Sequence, residues 1–347
     1  MSAYPIYANP AIVLVFAGSD PSGGAGIQAD LLTLASLGCH GLSAITALTV
    51  QDTERVGAID AVSAAWVEDQ ARQVLEDMQV DVFKVGLIGS VENVAAIAEV
   101  VSDYPDVPLV LDPVLAAGNG DEMASREVIA AMRDLLIPQT TILTPNSLEA
   151  RRLVASDMDD APALEQCAEQ LLKLGAEYVL IKGTHENSPQ VVNNLYGPVI
   201  TRDAPENQYS IGLVRSDAWT RLPGSYHGSG CTLASAIAAL IANGEEIPDA
   251  VRAAQDYTWN ALKAGFRPGM GQFIPDRFFW ARQIASNTGE ENGSQAADVE
   301  PESVGRELVG RASTNRDGAA PDARDAEAIR AARRERSRRG GSDGDKP

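Results

Sequence analysis

This chain is short of cysteine, histidine and lysine, and each shortage excludes something. Three cysteines (Cys39, Cys167 and Cys231) cannot build a disulfide framework. Nor do they stand at zinc-ligand spacing with the three scattered histidines, His40, His185 and His227. A reducing cytoplasm is therefore the expected compartment. Long apolar runs are missing too: nothing approaches the roughly 18 residues that a membrane helix needs. Residues 1–10 have neither the basic start nor the apolar run of a secretory signal. Lysine occurs five times in 347 residues, and 28 basic side chains stand against 48 acidic ones, a formal charge of -20. Such a chain repels phosphate backbones, which excludes nucleic-acid binding by a broad basic face.

The charge is unevenly spread. Residues 286–347 hold 13 acids and 11 bases, so residues 1–285 hold the other 35 acids and 17 bases, a net of -18. An acid-rich, lysine-poor surface suits high salt, where screening weakens self-repulsion. The plainer reading is an ordinary acidic cytosolic protein. Residues 286–347 contain no Phe, Tyr or Trp and are expected to be a disordered polar tail. Six arginines fall between positions 330 and 339, which reads as a solvated face before it reads as a partner site.

What is present over residues 11–285 is regular alternation. Apolar runs at 11–17, 42–50, 82–88, 108–111, 140–144 and 178–182 read as strands. Between them, periodic stretches at 27–37, 66–78, 91–101, 124–136, 147–154 and 163–174 read as helices. Short alternating segments at 191–196 and 210–214 suggest antiparallel strands at the sheet edge, followed by helices at 230–243 and 248–264. The expected fold class is α/β, with a mostly parallel central sheet. Ligand sites in such sheets lie at the carboxyl ends of strands, so the loops after strands carry the information.

Six loops qualify. GSDPSGGAG (residues 18–26) brings backbone close to a ligand, and Asp20 sits where a small polar substrate is grasped. It lacks the Gly-Lys-Ser/Thr of a P-loop, and a tight turn is the plainer account. Gln51 ends a strand with a carboxamide that both donates and accepts, a match for an aminopyrimidine. Asp112-Pro113-Val114 offers a carboxylate near phosphates or a metal, or simply a turn. Asn146 and Glu149 share a helix face and suit Mg2+ held through water, although the same spacing makes a capping box, which spacing alone favours. Lys182 can reach a nucleotide phosphate or form an ordinary ion pair. HGSGCT (residues 227–232) is the strongest: Gly228, Ser229 and Gly230 open a helix and aim N–H groups at one point, an anion hole. Cys231 in that first turn is expected to have a lowered thiol pKa, unless it is a small buried cysteine packing under the loop.

The order of these segments carries more than any one of them. GSDPSGGAGIQADL, ALTVQDT, KVGLIGS, LDPVL, LTPNSLEA, IKGTH and HGSGCTLASAIAA follow one another. The chain resembles the bacterial hydroxymethylpyrimidine/phosphomethylpyrimidine kinases of thiamine biosynthesis, within the ribokinase-like superfamily, over about residues 11–285. The resemblance implies a doubly wound three-layer sandwich with a few edge strands. It implies transfer of the ATP γ-phosphate to the hydroxymethyl group of 4-amino-5-hydroxymethyl-2-methylpyrimidine, then phosphorylation of the monophosphate to the diphosphate. By position, Gln51, Gly18, Asp20 and Val114 match the pyrimidine site, and Lys182 and Asp112 the nucleotide side. Asn146 and Glu149 match the magnesium element. Gly228, Ser229, Gly230 and Cys231 match the anion hole, Cys231 standing where sugar-kinase relatives carry an aspartate base. The expected partners are the aminopyrimidine, ATP and a second copy of the chain, with no nucleic acid or membrane.

One departure stands out. After LDPVL the family usually carries a lysine, and here residues 116–120 are AAGNG, without positive charge. That lowers the expectation for the second phosphorylation. A pyridoxal-type kinase and a non-catalytic pyrimidine-binding regulator are the competing readings.

Overall fold

The structure is a computed structural model, and it describes residues 9–117, 120–154, 162–200 and 209–282. The expected tail and the positions Gly118 and Asn119 lie outside the described residues. In chain order the elements are β1 (Ile12–Ser19), α1 (Gly26–Ser36), β2 (His40–Gln51), β3 (Val56–Ala61), α2 (Ala64–Leu75), β4 (Val82–Val85), α3 (Val91–Ser102), β5 (Leu109–Leu111) and α4 (Arg126–Ala131). There follow β6 (Ile142–Leu143), α5 (Ser147–Val154), α6 (Leu164–Lys173), β7 (Tyr178–Ile181), β8 (Gln190–Ile200), β9 (Tyr209–Thr220), α7 (Ser229–Ala242) and α8 (Ile247–Lys263).

The strands form one sheet in the order β3-β2-β1-β4-β5-β6-β7-β8-β9. From β2 to β7 every pairing is parallel. Only β3 at one edge and β8 and β9 at the other run antiparallel. The alternation of side chains along β1 shows the three layers. Leu14 and Phe16 pack with Val67, Ile97 and Leu171 on the α2–α6 face, while Val13, Val15 and Ala17 pack with Ile237, Ala238 and Val251 beneath α7 and α8. Both faces of β1 are covered, which is why its sequence is an unbroken apolar run. Strand order reverses at β1, so the ligand crevice of such a sheet opens at the carboxyl ends of β1 and its neighbours.

Two elements differ from the sequence expectation. β3 was not expected: its VGAIDA sequence contains Gly57 and Asp60, residues poor in strands, and much of it is exposed. It forms because the long β2 offers an open ladder, pairing Thr49 with Ile59. The helix expected over 124–136 is α4 continued by a π turn (Met132–Leu136) and a 3-10 turn (Ile137–Gln139). Pro138 supplies no N–H and its ring crowds the carbonyl four residues back, so regular α geometry ends before it. Among the described residues no helix is long and apolar enough to cross a membrane.

Candidate active site

Asp20 organises the first loop. Its carboxylate is fully buried. It accepts the Ser22 N–H at 2.8 Å, the Ser22 hydroxyl at 2.9 Å and the Ala25 N–H at 2.7 Å. His227 Nε2 lies 2.9 Å from its Oδ2. Burial raises the Asp20 pKa, but these bonds outweigh it and hold the carboxyl below its ordinary value. Asp20 thus has a structural task beside the grasp on substrate expected of it: its acceptors are engaged inside the protein, tying the first loop to the loop before α7. The two loops touch at glycine. Gly228 has φ of 76°, and a Cβ there would run into the Gly24 carbonyl.

Beneath α7 lies an ion pair. Asp112, just past β5, accepts from Lys182 Nζ at 2.9 Å and from the Thr144 hydroxyl at 3.0 Å. Lys182, just past β7, is fixed by its backbone: its N–H donates to Pro145 O at 2.9 Å and its carbonyl accepts from Ser147 N at 3.1 Å. Burial raises Asp112, yet Lys182 and Lys84 hold it below the usual carboxylate range. Burial lowers Lys182, yet Asp112 and Glu149 carry it above the usual amine range. A Cβ on Gly230 would lie 3.3 Å from Lys182 Nζ and 3.5 Å from Asp112 Oδ2. The opening of α7 therefore rests on this pair. The N–H groups of Ser229, Gly230 and Cys231 are in the first turn, where no preceding helical carbonyl can take them.

Asn146 and Glu149 form a reciprocal cap at the start of α5. Asn146 Oδ1 accepts the N–H groups of Leu148 and Glu149, each at 2.9 Å, and Glu149 Oε2 accepts the Asn146 N–H at 2.7 Å. The capping-box account of the spacing is thus what the geometry realises. Burial, with Asp112 adding to it against the pull of Lys182, pushes the Glu149 carboxyl up to about 7.

Cys231 departs from expectation. Cys231 is half-buried, and desolvation, together with the carboxylates Asp30 and Asp112, pushes its thiol up to about 11 despite Lys84 and the helix start. The lowered pKa expected from the helix dipole is overturned by that desolvation. Gln51 ends β2, half-buried, and its carboxamide makes no hydrogen bond to another described residue. The turn beyond it is held on two sides: Val56 N–H donates to Asp121 at 3.3 Å, and Gln272 N–H to Thr53 O at 2.8 Å. Gly18, at the end of β1, packs so closely that a Cβ would lie 2.8 Å from Leu87. Val114 lines a narrow apolar cleft with Gly86, Leu87, Ile88 and Met123.

Two buried groups were not among the expected site residues, although Asp30 was expected in the helix beyond the first loop. Lys84 on β4 and Asp30 on α1 are both fully buried and paired at 2.8 Å. Ser235 donates to the other Asp30 oxygen at 2.7 Å. Burial raises Asp30, and Asp30 holds Lys84 up against the same burial. The two short donors on the carboxylate oppose that rise. A lysine inside the buried strand sequence VFKV was the available signal. The other group, Arg277, had none.

The three-layer α/β sandwich thus gathers a glycine loop, a buried lysine–carboxylate pair and a glycine-opened helix at its strand ends, where such a sheet takes its ligand. The family model for phosphomethylpyrimidine kinase matches residues 20–276, and the chain belongs to that family. A hydroxymethylpyrimidine/phosphomethylpyrimidine kinase from Streptomyces coelicolor is 37% identical over 76% of this chain and 93% of the relative. One from Mycobacterium tuberculosis is 39% identical over 76% of this chain and 92% of the relative. The solved phosphomethylpyrimidine kinase of Clostridium difficile is 33% identical, with a TM-score of 0.58 over 72% of this chain and 99% of that one. The Staphylococcus aureus pyridoxal kinase bound to pyridoxal is 26% identical, with a TM-score of 0.66 over 79% of this chain and 96% of that one.

Proposed function

We propose that this enzyme uses ATP to phosphorylate the hydroxymethyl group of 4-amino-5-hydroxymethyl-2-methylpyrimidine, and then its monophosphate to the diphosphate, in thiamine biosynthesis. The observation that carries this reading is the Lys182–Asp112 pair directly under Gly230 at the opening of α7. It puts an ammonium beside three backbone N–H groups, where a transferring phosphoryl group needs both. Gln51 offers a donor and an acceptor to the aminopyrimidine edge, and Val114 an apolar wall. The substrate hydroxyl oxygen attacks the γ-phosphorus, and the bond from that phosphorus to the ADP oxygen breaks. The hydroxyl proton leaves on a phosphate oxygen, because Cys231, with its thiol near 11, is already protonated at neutral pH. Cys231 then serves by placing the hydroxyl.

Mg2+ fits the donors present. Asp112 and Glu149 are buried carboxylates, and the Glu149 pKa of about 7 marks a site short of positive charge. Among the described residues no cluster of three acidic, His or Cys ligands exists, which suits an ion held mainly by phosphates and water. Asp112 and Glu149 would hold it, Asn146 positioning Glu149 through the cap; bound there, it neutralises charge on the nucleotide phosphates. The reading includes a cytoplasmic homodimer and a kinase domain ending near residue 285, to be checked by sedimentation and by truncation.

A single-turnover reaction with hydroxymethylpyrimidine and ATP, read by product mass, tests the proposal. Products bearing one and then two phosphoryl groups are expected. Products stopping at one would confine the enzyme to the first step. The fold likeness to pyridoxal kinase makes pyridoxal the competing substrate; faster turnover on pyridoxal would reverse the assignment.

A further inference from the structure

Arg277 lies beyond α8, and 3% of it is exposed. Its Nη2 donates to Gly24 O at 2.6 Å and its Nε to the Thr232 hydroxyl at 3.2 Å. Thr232 in turn donates to Gly228 O at 2.8 Å. One guanidinium therefore fastens the first glycine loop to the first turn of α7. Yet it has no carboxylate in ion-pair range among the described residues: Asp30 and Asp20 act on it only from farther off, and its neighbour Asp276 pairs with Arg282 at 2.9 Å instead. The other buried cations near the site, Lys84 and Lys182, each have one. An unpaired buried charge is costly, and a cation beside a helix start is opposed by the helix dipole as well. Both costs fall when an anion enters the loop at residues 228–231.

We propose that Arg277 is a positioning residue for phosphoryl transfer: it holds the two glycine loops together, and its charge, without a close carboxylate, is balanced by the nucleotide phosphates. This rests on the reading of residues 228–231 as the phosphate-receiving loop. The geometry also explains why an acidic domain with few lysines can hold ATP: the cation is fixed within the fold, away from the competing carboxylates of the surface.

The test uses the full chain and three variants. Arg277→Gln keeps a donor but loses the charge. Arg277→Lys keeps the charge but loses the fork. Thr232→Val removes one tether and leaves the charge. Affinity for the ATP analogue AMP-PCP is expected to fall about tenfold or more in the Gln variant, with hydroxymethylpyrimidine affinity within about twofold of wild type. The Lys variant is expected to recover at least half of the lost nucleotide affinity on a logarithmic scale, and Thr232→Val to stay within about threefold. Wild-type AMP-PCP affinity in Arg277→Gln overturns the proposal. So does equal loss for both ligands without rescue by lysine, which is the mark of a purely structural role. If the Gln variant is too unstable to assay, the Lys and Val variants decide by the same criteria. Gly230→Val tests the underlying loop separately, since its added bulk meets Lys182 and Asp112. Full turnover there removes the phosphate-loop reading itself; lost turnover there with an undisturbed Arg277→Gln removes only the role of Arg277.

Discussion

At Cys231 two influences oppose each other. A helix start favours a thiolate, but burial disfavours any charge, and the nearby carboxylates Asp30 and Asp112 add to the burial. With the thiol near 11, about one molecule in ten thousand carries a thiolate at pH 7. Iodoacetamide labelling of this residue in metal-free protein is therefore expected to be slow at neutral pH, rising towards a midpoint near 11. Turnover of Cys231→Ala should stay within about tenfold of wild type, as positioning alone requires. A labelling midpoint below about 8 would restore the role of base. Lys84 makes the companion case. Replacing it by Met leaves Asp30 buried beside a single remaining donor, Ser235. Unfolding in urea should show a loss of about 3–5 kcal/mol, part of which Asp30→Asn on the same chain recovers. A Lys84→Met protein as stable as wild type would mean that the pair is not ionised.

Among the elements, α5 separates structure from chemistry most cleanly. Asn146→Ala removes the cap and should cost about 1 kcal/mol of stability. Glu149→Gln keeps a side chain that can complete the capping box, so stability should hold, while turnover falls and more Mg2+ is needed to reach it. Unchanged Mg2+ dependence in that variant would confine Glu149 to capping. Sequence reading served the elements unevenly, and the reasons are physical. β1 and β4 to β7 were legible because strands covered on both faces become apolar runs. β3 was not, since partnership with β2 rather than its own composition forms it. The glycine loops were legible from residue type; the inward turn of Asp20 was not, because it depends on His227 from a distant loop. For Cys231 the sequence displays the helix start and hides the desolvation of the thiol. Arg277 follows α8 in a stretch without periodicity, and only the fold brings it 2.6 Å from Gly24 O.

Over the whole molecule, the -18 on residues 1–285 divides into an interior and a surface that respond differently to salt. Two buried cations are paired at close range, Lys84 with Asp30 at 2.8 Å and Lys182 with Asp112 at 2.9 Å. Such pairs are shielded from the electrolyte and change little as it is added. The surface has few cations to offset its carboxylates, so its net effect is repulsion, acting over roughly 10 Å at 0.1 M salt and about 3 Å at 1 M. Exposed ion pairs, such as Lys173 with Glu169, weaken with salt but contribute little to begin with. Repulsion is thus the larger salt-sensitive term, and adding KCl from about 0.05 to 1 M should raise the melting temperature. AMP-PCP binding should suffer less than it does in kinases whose nucleotide is drawn in by surface lysines, since Lys182 and Arg277 hold their charge inside the fold. A melting temperature that is flat or falls across that range would show that the acidity is incidental, and would leave the buried cations without this reason for their placement.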